Sequence, residues 1–348
     1  MSMRLQAAVF AALVAACDKS NIKLETPPDQ LPALIVPSEM MARDGGGGSG
    51  GGDVVADNGG GRDWGGGGVD GGNDGVDGGG GGRSSAGALV SASPQPTAYA
   101  LIIGIEKYRD VTPATGARAD AERFAELTRQ TFGVPEEHVR VLLDDRATRT
   151  DIVKQVRWLQ TNVPAGGRIY VYFSGHGAPD PTSGVSYIVP YDGDPQYLGE
   201  SALKMADILA DLEKTKAKDV LAIADSCFSG AGGRSVLAPG TRPLVHVEPV
   251  KAAARVALLS ASSGAEISGP APDGKGGLFS KYLMQALGDG AADINGDGQI
   301  SLKELDEWIK PRVKREAKKA NREQTPSLQV GKKLGDPVEF IVSWGYGK

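Results

Sequence analysis

A histidine and a cysteine follow two apolar segments that have the length of buried strands. His176 comes after YVYFSG, and Cys227 comes after VLAIADS. If the two segments are neighbouring strands of a parallel sheet, both side chains emerge at the same edge. An imidazole at that edge can accept the proton of a thiol and later protonate a leaving amine. The pair is therefore the minimal equipment for nucleophilic acyl transfer.

Glycines on both sides of His176 fit this chemistry. The N–H of Gly177 is unshielded and is a candidate donor to a developing oxyanion, and Gly175 lets other groups approach the backbone closely. Neither of the other two histidines has such neighbours. The alternative is that His176 is a structural histidine in a tight turn and that Cys227 is a small core residue.

The amino-terminal segment MSMRLQAAVFAALVAAC is typical of a secretory signal. One arginine precedes about a dozen apolar residues, which is too short a run to span a bilayer. The end of the segment, VAAC, resembles the bacterial lipobox, which implies a signal peptide over residues 1–16 and lipidation of Cys17. We therefore expect an exported bacterial lipoprotein of the cell envelope, on the periplasmic or outer-membrane side. A secreted protein with an ordinary signal peptide is the alternative.

Residues 17–97 are expected to form a tether. Positions 45–82 hold 22 of the 50 glycines and almost nothing apolar, which predicts disorder. The stretch GGNDGVDGG resembles a calcium-binding nonapeptide repeat, with a flexible acidic linker as the simpler interpretation. The chain has two cysteines; if Cys17 is lipidated, a disulfide scaffold is excluded. The net charge of −5 gives no reason to expect nucleic acid, and membrane contact is expected only through the anchor.

Strand-like apolar runs alternate with amphipathic helical segments over residues 98–345. Such alternation predicts an α/β fold class, a three-layer α/β/α sandwich with a mostly parallel central sheet. The predicted strands are Tyr99–Ile105, His138–Leu143, Ile169–Phe173, Val220–Ala224, Val256–Leu259 and Val338–Val342. The predicted helices are 117–131, 151–162, 205–212, 278–287 and 302–318, with Thr148 as a cap of the second.

Several segments together resemble the caspase–metacaspase clan of cysteine peptidases. They are YFSGHG, DSCFSG, the opening IIGIEKY, the block GARADAERFAEL and the closing QTPSL. The likeness extends from Tyr99 to about Val342 and implies a caspase-like domain. It also implies that Cys227 is the nucleophile, that His176 is the general acid and base, and that the backbone N–H groups of Gly177 and Cys227 form the oxyanion hole.

The resemblance also bears on specificity. Animal caspases cleave after Asp, whereas metacaspases cleave after Arg or Lys and bind that side chain with acidic residues. Asp225, two residues before Cys227, and Asp120 match these acidic positions. Two converging carboxylates favour a basic side chain; the alternative for Asp120 is a solvated helix residue. Phe228 departs from the pattern, since many metacaspases carry His there, and this leaves the subfamily open.

The loop 229–255 follows the nucleophile and is a candidate for self-processing. A peptidase that cleaves after Arg or Lys finds four such residues there, so self-cleavage is expected as a maturation step. They are Arg234, Arg242, Lys251 and Arg255.

The segment DINGDGQISLKE, residues 293–304, matches a twelve-residue EF-hand calcium loop position by position. Calcium is therefore the expected cofactor, in a role that is either stabilising or regulatory. The alternative is an Asp/Asn/Gly-rich turn that caps the helix 302–318. The expected ligands are Asp293, Asn295, Asp297, the Gln299 carbonyl and Glu304, with Gly298 at the turn and Ser301 acting through water.

Together these features predict a cysteine endopeptidase with a His-Cys dyad and a calcium loop. Its substrate is expected to be a polypeptide with a basic residue before the scissile bond. A first alternative is a catalytically silent caspase-like domain that serves as a tethered calcium-binding interaction module. A second is a cysteine hydrolase that uses the same dyad on small amides.

Overall fold

The computed structural model describes residues 93–226, 247–264 and 266–345. The predicted signal peptide 1–16, the predicted lipidation at Cys17 and most of the predicted tether 17–97 lie outside the described residues. The main chain of Gln95 already donates to the Gly133 carbonyl at 2.9 Å, so the folded part begins slightly before residue 98. Across the described segments, no helix combines the length and the apolar character needed to cross a bilayer.

Eleven strands and six α-helices make up the described part of the chain. The strands are β1 (Ala98–Gly104), β2 (Val139–Leu143), β3 (Arg168–Ser174), β4 (Gly177–Pro179), β5 (Ser186–Ile188), β6 (Leu203–Lys204), β7 (Asp219–Asp225), β8 (Val256–Ser260), β9 (Gln299–Ser301), β10 (Ser327–Val330) and β11 (Ile341–Trp344). The helices are α1 (Ala117–Gln130), α2 (Arg149–Asn162), α3 (Leu198–Ser201), α4 (Met205–Glu213), α5 (Leu278–Gly288) and α6 (Leu302–Lys319).

The centre of the fold is a six-stranded sheet in the order β10-β8-β7-β3-β1-β2. Five strands are parallel, and β10 joins the edge antiparallel to β8. Every residue of β1, β3 and β7 is buried, as expected for strands covered on both faces. One core packs α2 and α4 against the sheet, and the other packs α1, α5 and α6 against the opposite face. The predicted three-layer α/β fold is therefore confirmed.

The helices begin where local chemistry allows it. The Thr148 side chain accepts a hydrogen bond from the Asp151 N–H at 3.1 Å, which confirms the predicted cap of α2. Helix α1 lies so close to β1 that a Cβ on Gly104 would stand 2.3 Å from the Ala121 Cβ. A glycine at the end of β1 thus lets α1 approach the carboxyl edge of the sheet.

The carboxyl-terminal part of the chain differs from its prediction. The strand expected at Val338–Val342 is found at Ile341–Trp344, and it pairs with β9 rather than with the central sheet. The last strand of the central sheet is β10, a four-residue strand whose residues are all half-buried. A strand so short and so weakly buried has no clear apolar pattern, which is why it was not predicted.

Candidate active site

The strands that precede His176 and Cys227 are neighbours in the central sheet. β3 and β7 run parallel in a register that pairs Ser174 with Asp225, so both strands end at the same level. The Gly175 N–H then donates to the Asp225 carbonyl at 3.3 Å and extends the ladder by one bond. The predicted dyad requires that these two strands are neighbours in a parallel sheet, and the structure meets this requirement. Cys227 itself lies outside the described residues.

The side chain of His176 is fully buried and contacts the loop that follows β1. Its Nε2 lies 2.7 Å from the carbonyl oxygen of Thr112. A carbonyl can only accept a hydrogen bond, so Nε2 carries a proton, and in the neutral ring Nδ1 holds the basic lone pair. Any acid–base work by His176 is therefore expected at Nδ1.

Tyr108 holds the main chain of the same histidine. The His176 N–H donates to Tyr108 Oη at 2.6 Å, and the two rings lie 4.8 Å apart between centroids at an angle of 39°. A Cβ on Gly175 would stand 2.6 Å from this hydroxyl. The glycine before the histidine therefore makes room for Tyr108, a local reason that the sequence pattern alone did not suggest.

Asp144 fixes the loop that carries both contacts. Its Oδ1 accepts from the N–H groups of Glu106 and Lys107, at 2.9 and 3.0 Å, and its Oδ2 accepts from Arg118 Nη1 at 2.9 Å. Burial alone would raise the pKa of Asp144, but these hydrogen bonds and the charge of Arg118 hold its pKa below the ordinary value. The carboxylate therefore stays ionised at neutral pH.

Gly177 begins β4, which pairs with β5 in an antiparallel ladder. Val189 donates its N–H to the His176 carbonyl at 3.0 Å. Antiparallel pairs alternate between hydrogen-bonded and non-hydrogen-bonded, so the next pair, Gly177 with Ile188, is of the second kind. Pro179, which has no N–H, takes the same kind of position two residues on. The Gly177 N–H consequently points away from β5.

Asp225 is fully buried at the end of β7. Its Oδ2 accepts from the Ser280 N–H at 3.2 Å and from the Ser280 hydroxyl at 2.6 Å, and its Oδ1 accepts from the Ser268 hydroxyl at 2.9 Å. Ser280 lies in the first turn of α5, where a negative charge is favoured by the helix dipole. Asp225 thus links the end of β7 to the start of α5.

Asp120, in the first turn of α1, contacts the same end of α5. Its Oδ2 accepts from the N–H of Gly277, the N-cap residue of that helix, at 2.8 Å. Asp120 is only 5% exposed, so its interpretation as a solvated helix residue is wrong. A Cβ on Gly276 would stand 2.3 Å from Asp120 Oδ1. The structure therefore brings Asp120 and Asp225 to one helix terminus, and their role in binding a basic side chain stays a prediction.

The basic residues of the loop 229–255 do not share one environment. Arg234 and Arg242 lie outside the described residues, and Lys251 is exposed. Arg255 donates to Glu213 Oε1 at 3.0 Å and to the backbone carbonyls of Glu213, Thr215 and Ala217. A side chain held in this way is a structural anchor. Self-cleavage in the loop stays a prediction.

The predicted calcium loop connects α5 to α6 and includes β9. Asp293 accepts through Oδ1 from the Gly296 N–H and through Oδ2 from the Gly298 N–H, at 2.8 and 3.0 Å. Both glycines have left-handed backbone, with φ of 75° and 81°, so the turn requires glycine at these positions. Glu304 closes the loop by accepting from the Asn295 N–H at 3.3 Å.

The donor set of this loop is made of oxygen atoms only, which is what calcium prefers. Its carboxylates are turned toward backbone amides, and among the described residues no three His, Cys, Asp or Glu side chains stand close enough to hold a metal. Ser301 and Glu304 form a capping box at the start of α6, which the alternative interpretation expects. The residue types fit calcium, and calcium binding stays a prediction.

The fold and the His176 site define a three-layer α/β domain of caspase type. Residues 97–334 match the sequence profile of the Caspase domain. Because the match covers more than half of the chain, this chain belongs to that family of peptidases.

The chain is also similar to two individual proteins. Over 91 residues, 24% of this chain, the sequence is 26% identical to Metacaspase-1A of Aspergillus oryzae, and the match spans 22% of that protein. The crystal structure of a Geobacter sulfurreducens protein superposes with a TM-score of 0.51 over 71% of this chain and 98% of its own length, at 20% identity. The second likeness concerns the fold alone.

Four residues of the site were not found from the sequence. They are Tyr108, Thr112, Ser268 and Ser280. Tyr108 belongs to the segment IEKY, which directly follows β1. Its position beyond the carboxyl end of a parallel strand could therefore have indicated a role in the site. Thr112 acts through a backbone carbonyl, and the two serines lie far from Asp225 in sequence, so no residue type or spacing marked them.

Proposed function

We propose that this protein is a cysteine endopeptidase with Cys227 as nucleophile and His176 as general acid and base. The observation that carries the proposal is the register of β3 and β7, which ends both strands at Ser174 and Asp225. Each proposed catalytic residue follows its strand end by two residues in sequence. Membership of the Caspase domain family supports the same chemistry.

The proposed reaction proceeds in two acyl-transfer steps. His176 Nδ1 takes the proton of the Cys227 thiol, and the thiolate attacks the carbonyl carbon of the scissile peptide bond. The oxyanion accepts hydrogen bonds from the Gly177 and Cys227 N–H groups. His176 then protonates the leaving amine, which leaves a thioester. Water attacks the thioester with His176 as base, and release of the carboxylic acid restores the thiol.

The proposal includes cleavage after Arg or Lys. Asp120 and Asp225 meet the same helix terminus, and both are buried. The metacaspase resemblance places acidic residues where the basic side chain of the substrate binds, and a guanidinium or an ammonium would donate hydrogen bonds to these carboxylates. Charge-assisted hydrogen bonds of this kind favour a basic side chain, whereas an acidic one is repelled.

Fluorogenic peptides that end in Arg, Lys or Asp test this specificity. Wild type is expected to cleave the Arg and Lys peptides, and Asp225→Asn is expected to lower kcat/KM for them about 10- to 100-fold, since a hydrogen bond to a charged group contributes about 1.5–3 kcal/mol. Asp207→Asn, at an exposed position of α4, serves as the matched control and should match wild type.

The same assay separates the alternatives. If wild type cleaves none of the peptides faster than Cys227→Ala does, the silent interaction module is favoured. Turnover of small amides without preference for the residue before the bond would favour the small-amide hydrolase. Preference for the Asp peptide would contradict the assignment of Asp120 and Asp225.

We also propose that the loop 293–304 binds calcium through the ligands named from its sequence, and that the ion stabilises the fold. Strand β9, within the loop, pairs with β11, and Tyr170 Oη donates to the Val342 carbonyl of β11 at 3.2 Å. Tyr170 lies near the start of β3, whereas His176 follows its end. Calcium would therefore act on the edge of the sheet remote from the catalytic residues.

Thermal unfolding with and without calcium measures this effect. At a calcium concentration of about 100 times Kd, binding contributes about 2.7 kcal/mol and raises Tm by roughly 5–10 °C. Glu304→Gln should abolish the rise while it keeps the helix cap, because Gln serves at that capping position as Glu does. An equal rise of Tm in both proteins would show that calcium binds outside this loop. No rise of Tm in wild type would favour the alternative, in which the loop only caps α6.

Export with a lipid at Cys17 is proposed on the sequence of residues 1–17 alone. The tether would then give the peptidase domain reach near a membrane surface without embedding it.

A further inference from the structure

We propose that Tyr108 and Asp144 are positioning residues for His176. Tyr108 holds the main chain of the histidine, and Asp144 holds the loop that carries Tyr108. The inference rests on the proposed peptidase function, because the role is defined toward the imidazole of the dyad. Both residues lie outside the two segments that suggested the dyad.

The loop 105–116 contacts His176 at two separate points. Tyr108 Oη accepts the main-chain N–H at 2.6 Å, and the Thr112 carbonyl accepts from Nε2 at 2.7 Å. One contact fixes the backbone and the other fixes the far nitrogen of the ring, so the imidazole has little freedom to rotate. The direction of Nδ1, the nitrogen left to act as base, is therefore set by this loop.

The hydroxyl of Tyr108, and not its ring, is the group that positions His176. The ring is 9% exposed and packs beside the imidazole, which a phenylalanine would do equally well. Only the oxygen accepts the His176 N–H, and a buried N–H that loses its acceptor must find water or move. Gly175 leaves space for that oxygen. Loss of the hydroxyl is thus expected to displace the histidine without loss of packing.

Asp144 explains why the loop takes its path. It has a positive φ of 46°, which is uncommon for a residue other than glycine and persists only where the surroundings impose it. Its Oδ1 receives the N–H groups of Glu106 and Lys107, the two residues directly before Tyr108. Arg118 holds the other oxygen at 2.9 Å. The carboxylate therefore sets the direction in which the chain leaves β1.

The experiment uses full-length chain with Cys17→Ser, in which Cys227 is the one thiol. Tyr108→Phe is expected to lower kcat on the Arg peptide about 10- to 100-fold with KM changed less than about threefold, because small misplacements of a catalytic group have effects of this size. Asp144→Asn, which keeps an acceptor oxygen, should lower kcat about three- to tenfold.

Alkylation of Cys227 by iodoacetamide across pH gives a second readout that needs no turnover. In wild type the dyad is expected to keep the thiolate populated at low pH, and Tyr108→Phe is expected to move the profile toward that of an ordinary thiol, whose pKa is about 8.5. Tyr99→Phe is the matched control: Tyr99 is equally exposed at 9% and lies at the opposite end of β1. Its kcat and its profile should equal those of wild type.

Three outcomes are distinguishable. A Tyr108→Phe protein with wild-type kcat and a wild-type alkylation profile overturns the positioning role alone. Loss of kcat only in proportion to the unfolded fraction, measured by thermal denaturation, overturns it as well. If wild type and His176→Ala share one alkylation profile, no dyad exists, and the proposed function fails together with the positioning role.

Discussion

Replacement of His176 by alanine is expected to lower kcat/KM on Arg-ended peptides by about 10⁴-fold or more. Removal of one member of a nucleophile–base pair disables the pair, so the loss is far larger than that of an ordinary binding contact. The Thr112 carbonyl loses its donor in this variant, which costs about 1–3 kcal/mol of stability. Kinetics should therefore be measured well below the Tm of the variant, together with circular dichroism.

His138→Ala is the matched control for this experiment. His138 stacks on Tyr99 with ring centroids 4.0 Å apart, near the start of β1 and far from the catalytic edge. Its replacement should change Tm without a change in kcat/KM. The same proteins report on self-processing, since wild type should yield two bands on a gel where His176→Ala yields one. Activity of His176→Ala within tenfold of wild type would contradict the role of the histidine.

The central sheet could be predicted because its strands are uniform apolar runs. β3 and β7 are buried at all seven positions, and runs of this kind between helical segments indicate a parallel sheet without further information. The location of the proposed active site follows from the fold, because the carboxyl ends of parallel strands lie on one side of the sheet. His176 could be located in this way before any contact was known.

Other parts of the site depend on contacts that residue types do not encode. The sheet β4-β5-β6 consists of strands of two or three residues, too short for a periodic pattern. The role of Asp225 at the start of α5 requires Ser268 and Ser280, which come from later segments of the chain. Such tertiary partners are set by packing, and a single sequence does not mark them.

Asp120 and Asp225 have a structural contact beside the specificity role proposed for them. Both carboxylates accept N–H groups at the start of α5, and both are proposed to bind a basic substrate side chain. A substitution there changes the substrate pocket and the helix terminus together. The Asp225→Asn variant keeps one acceptor oxygen and replaces the other with an NH2 donor of the same shape, so it is a better probe of charge than an alanine substitution.

The largest effect on stability is expected from Arg168, at the edge of the sheet opposite His176. Arg168 and Asp219 begin β3 and β7 and form a bidentate pair at 2.5 and 2.9 Å, with side chains 8% and 11% exposed. Burial by itself would lower the pKa of Arg168, but the hydrogen bonds and the charge of Asp219 hold its pKa above the ordinary value. The guanidinium of Arg168 therefore stays charged.

Arg168 also attaches the carboxyl-terminal strand to the sheet. Its Nη1 donates to the Ile341 carbonyl at 2.5 Å, and the guanidinium lies over the rings of Phe340 and Trp344 at 4.6 and 5.3 Å. Since β11 pairs with β9, Arg168 and Tyr170 link the strand beside the calcium loop to the central sheet by polar contacts, and Ile300 and Val342 add apolar packing. Loss of Arg168 should therefore weaken calcium binding as well as the fold.

Arg168→Met is expected to lower the free energy of unfolding by about 3–5 kcal/mol, and Tm by roughly 10 °C, because Asp219 is left buried without its partner. Urea denaturation of Arg168→Met, Asp219→Asn and the double variant forms a cycle that isolates the pair. The double variant should be more stable than the sum of the single losses predicts, since it removes the unpaired charge.

Strict additivity would mean that the pair contributes little, and that Arg168 acts through Ile341 and the two rings instead. Because the pair lies far from His176, kcat at temperatures where each variant is folded should stay that of wild type. Such a result would separate the stabilising end of the sheet from the end proposed to perform catalysis.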